Sequence, residues 1–429
     1  MLTLLCSLVI ILPLGTNLAL FYLLWTLVRG DLLKTRGSVI PALAALGLPD
    51  DAVRRAWAAF AYGAWSIDQL LSAWGQLVSA EGHFQPASYG GYRPLAVDTT
   101  GFFRPRLQNC PTRHFHRPAG KALPAIPLGM VATVGTVRTQ RLALPRALVR
   151  PDPSHPSEPH LQERTLAAAV DLAADNDVLT ADRGFGLAAV LAAQPPHFAV
   201  RLRQNFTARR AQPPAARGRG RRPTRGALVR PLPRRWKGHL IPATPPDTVH
   251  TFTEGEHTVR AEVWGDLVLK DAASPQTPFA VLAVHDPRYP APLLLATDGD
   301  LTAAWQRDLY GDRWAIEQLP LCAKQMLGAQ RQWVFGEETR YRLPELAVLA
   351  GAVLSYAAAS GEAIPTGFWD RSPQATPGRL RRVLSQAEIP QSFEFPDQLR
   401  KKRSVTDHLP KGILGHRRSA AASHTAAGT

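Results

Sequence analysis

The hydrophobic pattern changes period near Tyr92. From Asn17 to about residue 80, apolar residues recur at three- and four-residue steps, as in SVIPALAALGLPDDAVRRAWAAFAYGAWSIDQLLSAWGQLV, punctuated by Gly47 and Pro49. That spacing predicts a set of helices. DDAVRRAW opens on acids and continues with bases, the order a helix dipole favours. Beyond Tyr92, short apolar runs take over. RPLAVDTTGFF, PAIPLGMVATVG and QRLALPRALVRP read as strands, HLQERTLAAAVDLAA as a helix, DVLTADRGF as a strand, GLAAVLAAQ as a helix and HFAVRLRQN as a strand. Strands mixed with crossover helices predict an α/β fold, a mixed sheet flanked by helices. From 201 to 300 this alternation breaks. TVHTFT, HTVRAEVWGDLVL, FAVLAVH and PLLLAT predict an inserted, β-rich subdomain. Helices resume with TAAWQRDLYGDRWAIEQL and LPELAVLAGAVLSYAAASGEA.

Five segments follow: a helical N-terminal domain at 1–88 of a kind that often binds DNA, the first part of a catalytic core at 89–200, a basic segment and β-rich insertion at 201–300, closing helices at 301–399, and a basic, disordered tail at 400–429. The first 28 residues carry no charged side chain. Taken alone they suit a membrane anchor, but no basic stretch precedes them and PLGTN interrupts the run. The expectation is a short apolar element, then a buried helix starting near Asn17, with no membrane insertion.

Charge sharpens the picture. The chain holds 50 Lys and Arg against 34 Asp and Glu, a formal net charge of +16. That balance points to a polyanionic partner, most simply nucleic acid. Thirteen of the basic residues fall between Arg201 and Leu240, a window without any acid. Gly and Pro in RGRGRRPTRG oppose regular helix, so the window reads as an extended, mobile segment. Arg219, Arg221, Arg222 and Lys237 would touch phosphates there, and Trp236 would be free to stack. Cys6, Cys110 and Cys322 are far apart and odd in number, which fits a reducing cytoplasm. CPTRHFH brings Cys110 near His114 and His116, but a fourth ligand is missing and structural zinc is not expected.

Three carboxylates carry the candidate chemistry. Asp98 and Asp182 each end a predicted buried strand, and Glu317 lies in LYGDRWAIEQLPLCAKQML. In that stretch Tyr310, Arg313, Glu317 and Lys324 are separated by three, four and seven residues, so helical spacing places them on one face. Clustered carboxylates repel unless a cation sits between them. Oxygen-only ligands favour Mg²⁺ or Mn²⁺, and two such ions about 3.5–4 Å apart clamp a phosphodiester. The competing reading is that Asp98 and Asp182 are turn or capping residues, since DTT and DRG are both good turn sequences. Trp314 is expected to pack into the core. Pro320 should kink or restart the helix, which leaves the one-face argument secure for Tyr310, Arg313 and Glu317 and open for Lys324.

VDTTG (Val97 to Gly101), ADRGF (Ala181 to Phe185) and YGDRWAIEQLPLCAK (Tyr310 to Lys324) together resemble the IS4-type DDE transposases of bacterial insertion sequences. The Tyr, Arg, Glu, Lys signature of that family is met by Tyr310, Arg313, Glu317 and Lys324. The resemblance covers about Tyr92 to Gly328. It implies an RNase H-like core in which Asp98, Asp182 and Glu317 bind two Mg²⁺ ions, Mn²⁺ being an alternative. It implies phosphate contacts by Tyr310, Arg313 and Lys324, cleavage of double-stranded DNA at transposon ends, and transfer of the 3′-OH into target DNA. A homodimer in the synaptic complex and a cytoplasmic, nucleoid-associated setting follow from the same likeness. A catalytically decayed DNA-binding relative and another RNase H-like nuclease remain as alternatives.

Overall fold

The computed structural model describes residues 1–215, 225–271, 277–298 and 301–400. Arg219, Arg221, Arg222 and the basic tail beyond residue 400 lie outside the described residues. The chain opens with α1 (Leu2–Val9), α2 (Thr16–Arg29), α3 (Asp31–Lys34), α4 (Val39–Ala44), α5 (Asp50–Tyr62) and α6 (Ile67–Glu81). There follow β1 (Phe84–Pro86), β2 (Arg93–Phe103), β3 (Arg113–His116), β4 (Lys121–Val137) and β5 (Gln140–Val149). Then come α7 (Glu158–Leu172), β6 (Asp177–Ala181), α8 (Leu187–Ala193) and β7 (His197–Arg201). The next strands are β8 (Ala208–Arg210), β9 (Leu228–Val229), β10 (Arg234–Trp236), β11 (His239–Ile241), β12 (Thr248–Glu254), β13 (His257–Leu269), β14 (Phe279–His285) and β15 (Leu293–Thr297). The chain closes with α9 (Ala303–Asp312), α10 (Gln318–Leu321), α11 (Thr339–Ser360), α12 (Pro377–Leu384) and α13 (Asp397–Arg400).

Two compact units emerge, and they cut across the segment boundaries expected from the sequence. The first comprises 1–85, 99–158 and 315–429, and the second 86–98 and 159–314. In the first unit α2 starts at Thr16, one residue from the expected start, and Leu20, Phe21, Leu23, Leu24 and Leu27 are fully buried. It packs against α5 and α11, so the N-terminal helices share a core with the closing helices. Arg342 of α11 joins them by donating to the carbonyls of Phe60 (2.8 Å) and Gly63 (3.0 Å). Among the described residues one helix, α11, is long and apolar enough to cross a membrane, and most of it is buried inside the fold. On another side α11 meets β5. There Arg150 grips the fully buried Glu345 carboxylate with two nitrogens, at 2.6 and 2.7 Å.

The second unit is built on a large mixed sheet. The first half of β2 runs parallel to β6, and β6 runs parallel to β7. Parallel neighbours need a crossover, which α8 supplies between β6 and β7. From β7 the ladder turns antiparallel through β15, β14 and β13, with β12 and β8 both on β13 and β9 on β8. The expected β-rich insertion is therefore a continuation of the sheet rather than a separate subdomain. The physical reason is the edge of β7, whose unpaired backbone groups are satisfied by β15. Helix α9 packs on β14 and β7.

Two local expectations need correction. The described part of the 201–240 window is not simply extended and mobile. It forms β8, β9 and a separate hairpin of β10 and β11, in which Trp236 pairs with His239 across Lys237 and Gly238. The late helix also breaks earlier than expected. Helix α9 ends at Asp312, and Arg313–Glu317 forms a 3₁₀ turn. A new helix then starts at Gln318, which leaves Pro320 in a first turn, where a missing N–H costs little. The 100° step needed for one shared face of Tyr310, Arg313 and Glu317 is lost at Arg313.

Candidate active site

The site begins with strand register. In β2 and β6, Ala96 pairs with Thr180 in a parallel ladder. Two residues further along each strand direction stand Asp98 and Asp182, which are therefore level and on the same face. Neighbouring strands lie about 4.8 Å apart, so this register makes the two positions neighbours across the sheet. The strand residues leading to them, Leu95 to Val97 and Val178 to Ala181, are buried, and the acids themselves are half-buried. Asp182 stands just past the end of β6, whereas Asp98, expected to end its strand, lies inside β2, which runs on to Phe103 with Thr100 and Phe102 buried. Asp182 also serves its turn, since Oδ1 accepts the Gly184 N–H at 2.8 Å. The turn reading of DRG therefore holds for that side chain. A Cβ on Gly184 would lie 2.9 Å from Asp182 Oδ1, so glycine keeps this turn compact.

The row continues onto β7. Ala181 pairs with Val200, which puts Arg201 level with Asp182. Across β2, β6 and β7 the same face thus presents Asp98, Asp182 and Arg201 in order. Sequence reasoning missed Arg201 as a site residue. Its signal was present in HFAVR, an apolar strand that ends on a charge.

Tyr310 lies beside this row. It is 3% exposed and packs with Val259, Ala261, Leu282, Val284 and Leu295. Burial pushes its phenol upward from the ordinary tyrosine range. The charges of Arg313 and Arg201 pull the other way, and Asp182 adds a smaller upward push. Those couplings put both arginines and Asp182 within electrostatic reach of the phenol. The Arg313 guanidinium is buried, 5.8 Å from the Tyr310 ring and 5.7 Å from the Trp314 ring. Trp314, expected in the core, is instead 55% exposed. The 3₁₀ turn rotates it away from the apolar side. Tyr89 fixes the end of α9 by donating to Asp312 Oδ2 at 2.7 Å.

In the first unit, Glu317 is half-buried at the end of the 3₁₀ turn. Lys324 donates from Nζ to the Thr100 hydroxyl at 2.6 Å and lies 5.2 Å from the Phe102 ring. Thr100 and Phe102 follow Asp98 by two and four residues on β2, so strand alternation puts them on its face. The lysine gets there through a π-turn at Cys322–Met326, closed by the Leu327 N–H donating to the Cys322 carbonyl at 3.1 Å. Trp236, 62% exposed, and Lys237 stand at the tip of the β10–β11 hairpin.

The Cys110, His114 and His116 side chains each have other partners. Cys110 Sγ lies 3.4 Å from the Thr112 carbonyl, His114 Nδ1 lies 3.2 Å from Glu158, and His116 Nδ1 accepts the Ala119 N–H.

Two level carboxylates with oxygen donors suit a hard divalent cation. The arginines beside them suit an anion such as a phosphate. No protein-family model matches the chain, and no curated protein matches it.

Proposed function

We propose that this chain is a DDE transposase of the IS4 type, a metal-dependent endonuclease that cuts double-stranded DNA at transposon ends and transfers the 3′-OH into target DNA. The observation that supports this best is the level row of Asp98, Asp182 and Arg201 on the parallel strands β2, β6 and β7. An RNase H-like core is the fold this reading adopts. Asp98 and Asp182 would hold Mg²⁺, with Mn²⁺ as a substitute, and Glu317 is the third acid that the family likeness supplies. Such ions supply Lewis-acid polarisation of the phosphate and a water of lowered pKa.

The protein side chains do the rest by position and charge. Arg201 and Arg313 neutralise the phosphate next to the acids, and a planar guanidinium can grip two of its oxygens. Tyr310 keeps its proton because it is buried, so it offers a hydrogen bond rather than a negative charge. Lys324, held by the Thr100 hydroxyl, is a further cation that the family likeness assigns to the phosphate. The basic residues Arg219, Arg221, Arg222 and Lys237, with Trp236, are the proposed contacts to DNA away from the scissile bond. Synapsis of two ends calls for a homodimer acting at the nucleoid in the cytoplasm.

The test is incubation of the full-length protein with DNA carrying the element's own ends and Mg²⁺. Nicked ends and strand-transfer joints should form with the native chain and vanish with Asp182→Ala. Cleavage that survives Asp182→Ala overturns the proposal. Cleavage without any joint would make the protein a nuclease rather than a transposase.

A further inference from the structure

The stretch QWVFG, Gln332 to Gly336, lies between the Lys324 turn and α11 and has no role in the site described above. It forms neither helix nor strand, and burial alternates along it: Gln332 and Val334 are buried, while Trp333 and Phe335 are each 53% exposed. The two rings meet edge to face, with centroids 5.6 Å apart and planes at 84°. Two large exposed aromatics side by side are costly to display in water and call for a partner.

The display is held from behind. The Trp333 N–H donates to the Gly37 carbonyl at 2.9 Å. The Arg104 guanidinium donates to the Val334 carbonyl at 2.7 Å and lies 5.4 Å from the Phe335 ring. Arg104 is 6% exposed, so this support is built into the core. All these residues belong to the first compact unit.

The surroundings are basic. Arg331 and Arg36, the chain neighbours of the anchored segment and of Gly37, are both exposed. Arg36 holds a left-handed backbone, with φ of 55°, a conformation a long side chain adopts only at a cost. The two acids that follow, Glu337 and Glu338, each have an arginine partner: Glu337 lies 4.0 Å from Arg340 and Glu338 2.9 Å from Arg342. Flat rings flanked by guanidinium groups suit a ligand that is aromatic on its faces and anionic along its backbone. In a duplex the base faces are stacked on one another, so an unpaired strand is the form that can use both features.

We propose that Trp333 and Phe335 form a stacking platform for unpaired nucleobases, with Arg36 and Arg331 meeting the phosphates of a single strand. This site needs no metal and does not depend on Asp98 or Asp182, so it stands or falls apart from the catalytic reading.

The test compares two probes on the full chain in EDTA, by fluorescence anisotropy. One is an oligothymidine of about fifteen nucleotides, the other an abasic chain of the same length and charge. The native protein should prefer the oligothymidine by about tenfold or more. Trp333→Ala with Phe335→Ala should lower that preference by about tenfold while leaving abasic binding unchanged. Trp333→Leu should lose preference as well, because it keeps apolar area but removes the ring face. Arg36→Asn, which suits the left-handed backbone, should fold at least as stably yet bind both probes more weakly. An unchanged base preference in the double variant overturns the proposal. So does a double variant whose one change is a shift in oligomeric state by sedimentation, since the rings would then join two copies of the chain.

Discussion

Lys324 reaches the Thr100 hydroxyl at 2.6 Å although Pro320 stands four residues before it. Proline restarts the helix, and the π-turn at Cys322–Met326 then redirects the chain so that the lysine returns to β2. Its charge is thereby fixed beside Thr100 of β2. Lys324→Met should lower the rate of end nicking by about 10²-fold, the scale of losing one fixed donor at a reacting phosphate. Thr100→Val should cost less, because the lysine keeps its charge and loses one anchor. Gel assays of nicking, with thermal melts as a control for folding, separate these effects.

Asp98 and Asp182 repel each other whenever no cation lies between them. Asp182→Asn keeps an oxygen for the Gly184 N–H while removing one charge. In EDTA this variant should therefore melt slightly above the native protein, by roughly 0.5 °C for a gain of about half a kcal/mol. Added Mg²⁺ should raise the melting temperature of the native chain and not of the variant. Scanning calorimetry under both conditions checks the pair of outcomes.

The β10–β11 hairpin turns through Lys237 and Gly238, with φ of 48° and 82°. Such a turn favours Asn-Gly, and a lysine there is strained by up to about 1 kcal/mol. Lys237→Asn should stabilise the fold slightly yet weaken binding to duplex DNA. The slope of log affinity against log salt should fall by about one. A purely structural turn would gain stability and leave the salt slope alone.

Burial pushes the Glu345 carboxyl upward, and the hydrogen bonds from Arg150 oppose that push. Arg150→Met would leave the carboxylate buried without its partner, a loss of about 3–5 kcal/mol near neutral pH. A carboxyl raised above its unfolded value binds a proton more tightly in the folded state. The folded form is thus favoured below the unfolded value, near pH 4.5, and loses that favour as pH rises through the folded value. The deficit of the variant should accordingly shrink in acid and grow toward neutrality. Urea titrations at a series of pH values measure it.

Much of the fold was legible because burial leaves a local trace. RPLAVDTTGFF became β2, HFAVR became β7, and LPELAVLAGAVLSYAAAS became most of α11. Asp98 within β2 and Asp182 just after β6 were legible for the same reason, as charges that interrupt apolar runs. The fate of 201–300 was less so, because a strand does not record whether it starts a new sheet or extends an old one. Trp314 and the one-face helix misled for another reason. Spacing predicts a face while the helix stays α, and the change to a 3₁₀ turn at Arg313 depends on longer-range packing and on Pro320.

By itself the sequence determined the periods, the basic character and the order of Asp98, Asp182, Tyr310, Arg313, Glu317 and Lys324. Tertiary structure decided which of them meet. Parallel pairing of β2, β6 and β7 set Asp98, Asp182 and Arg201 in one level row, because register is a property of two strands and cannot be written in either one. Lys324 met Thr100 through a turn that relieves a proline, and Trp333 came to rest on Gly37 across nearly three hundred residues of chain. Those relations rest on backbone hydrogen bonds and close packing between distant segments, which the local pattern of apolar and polar residues does not encode.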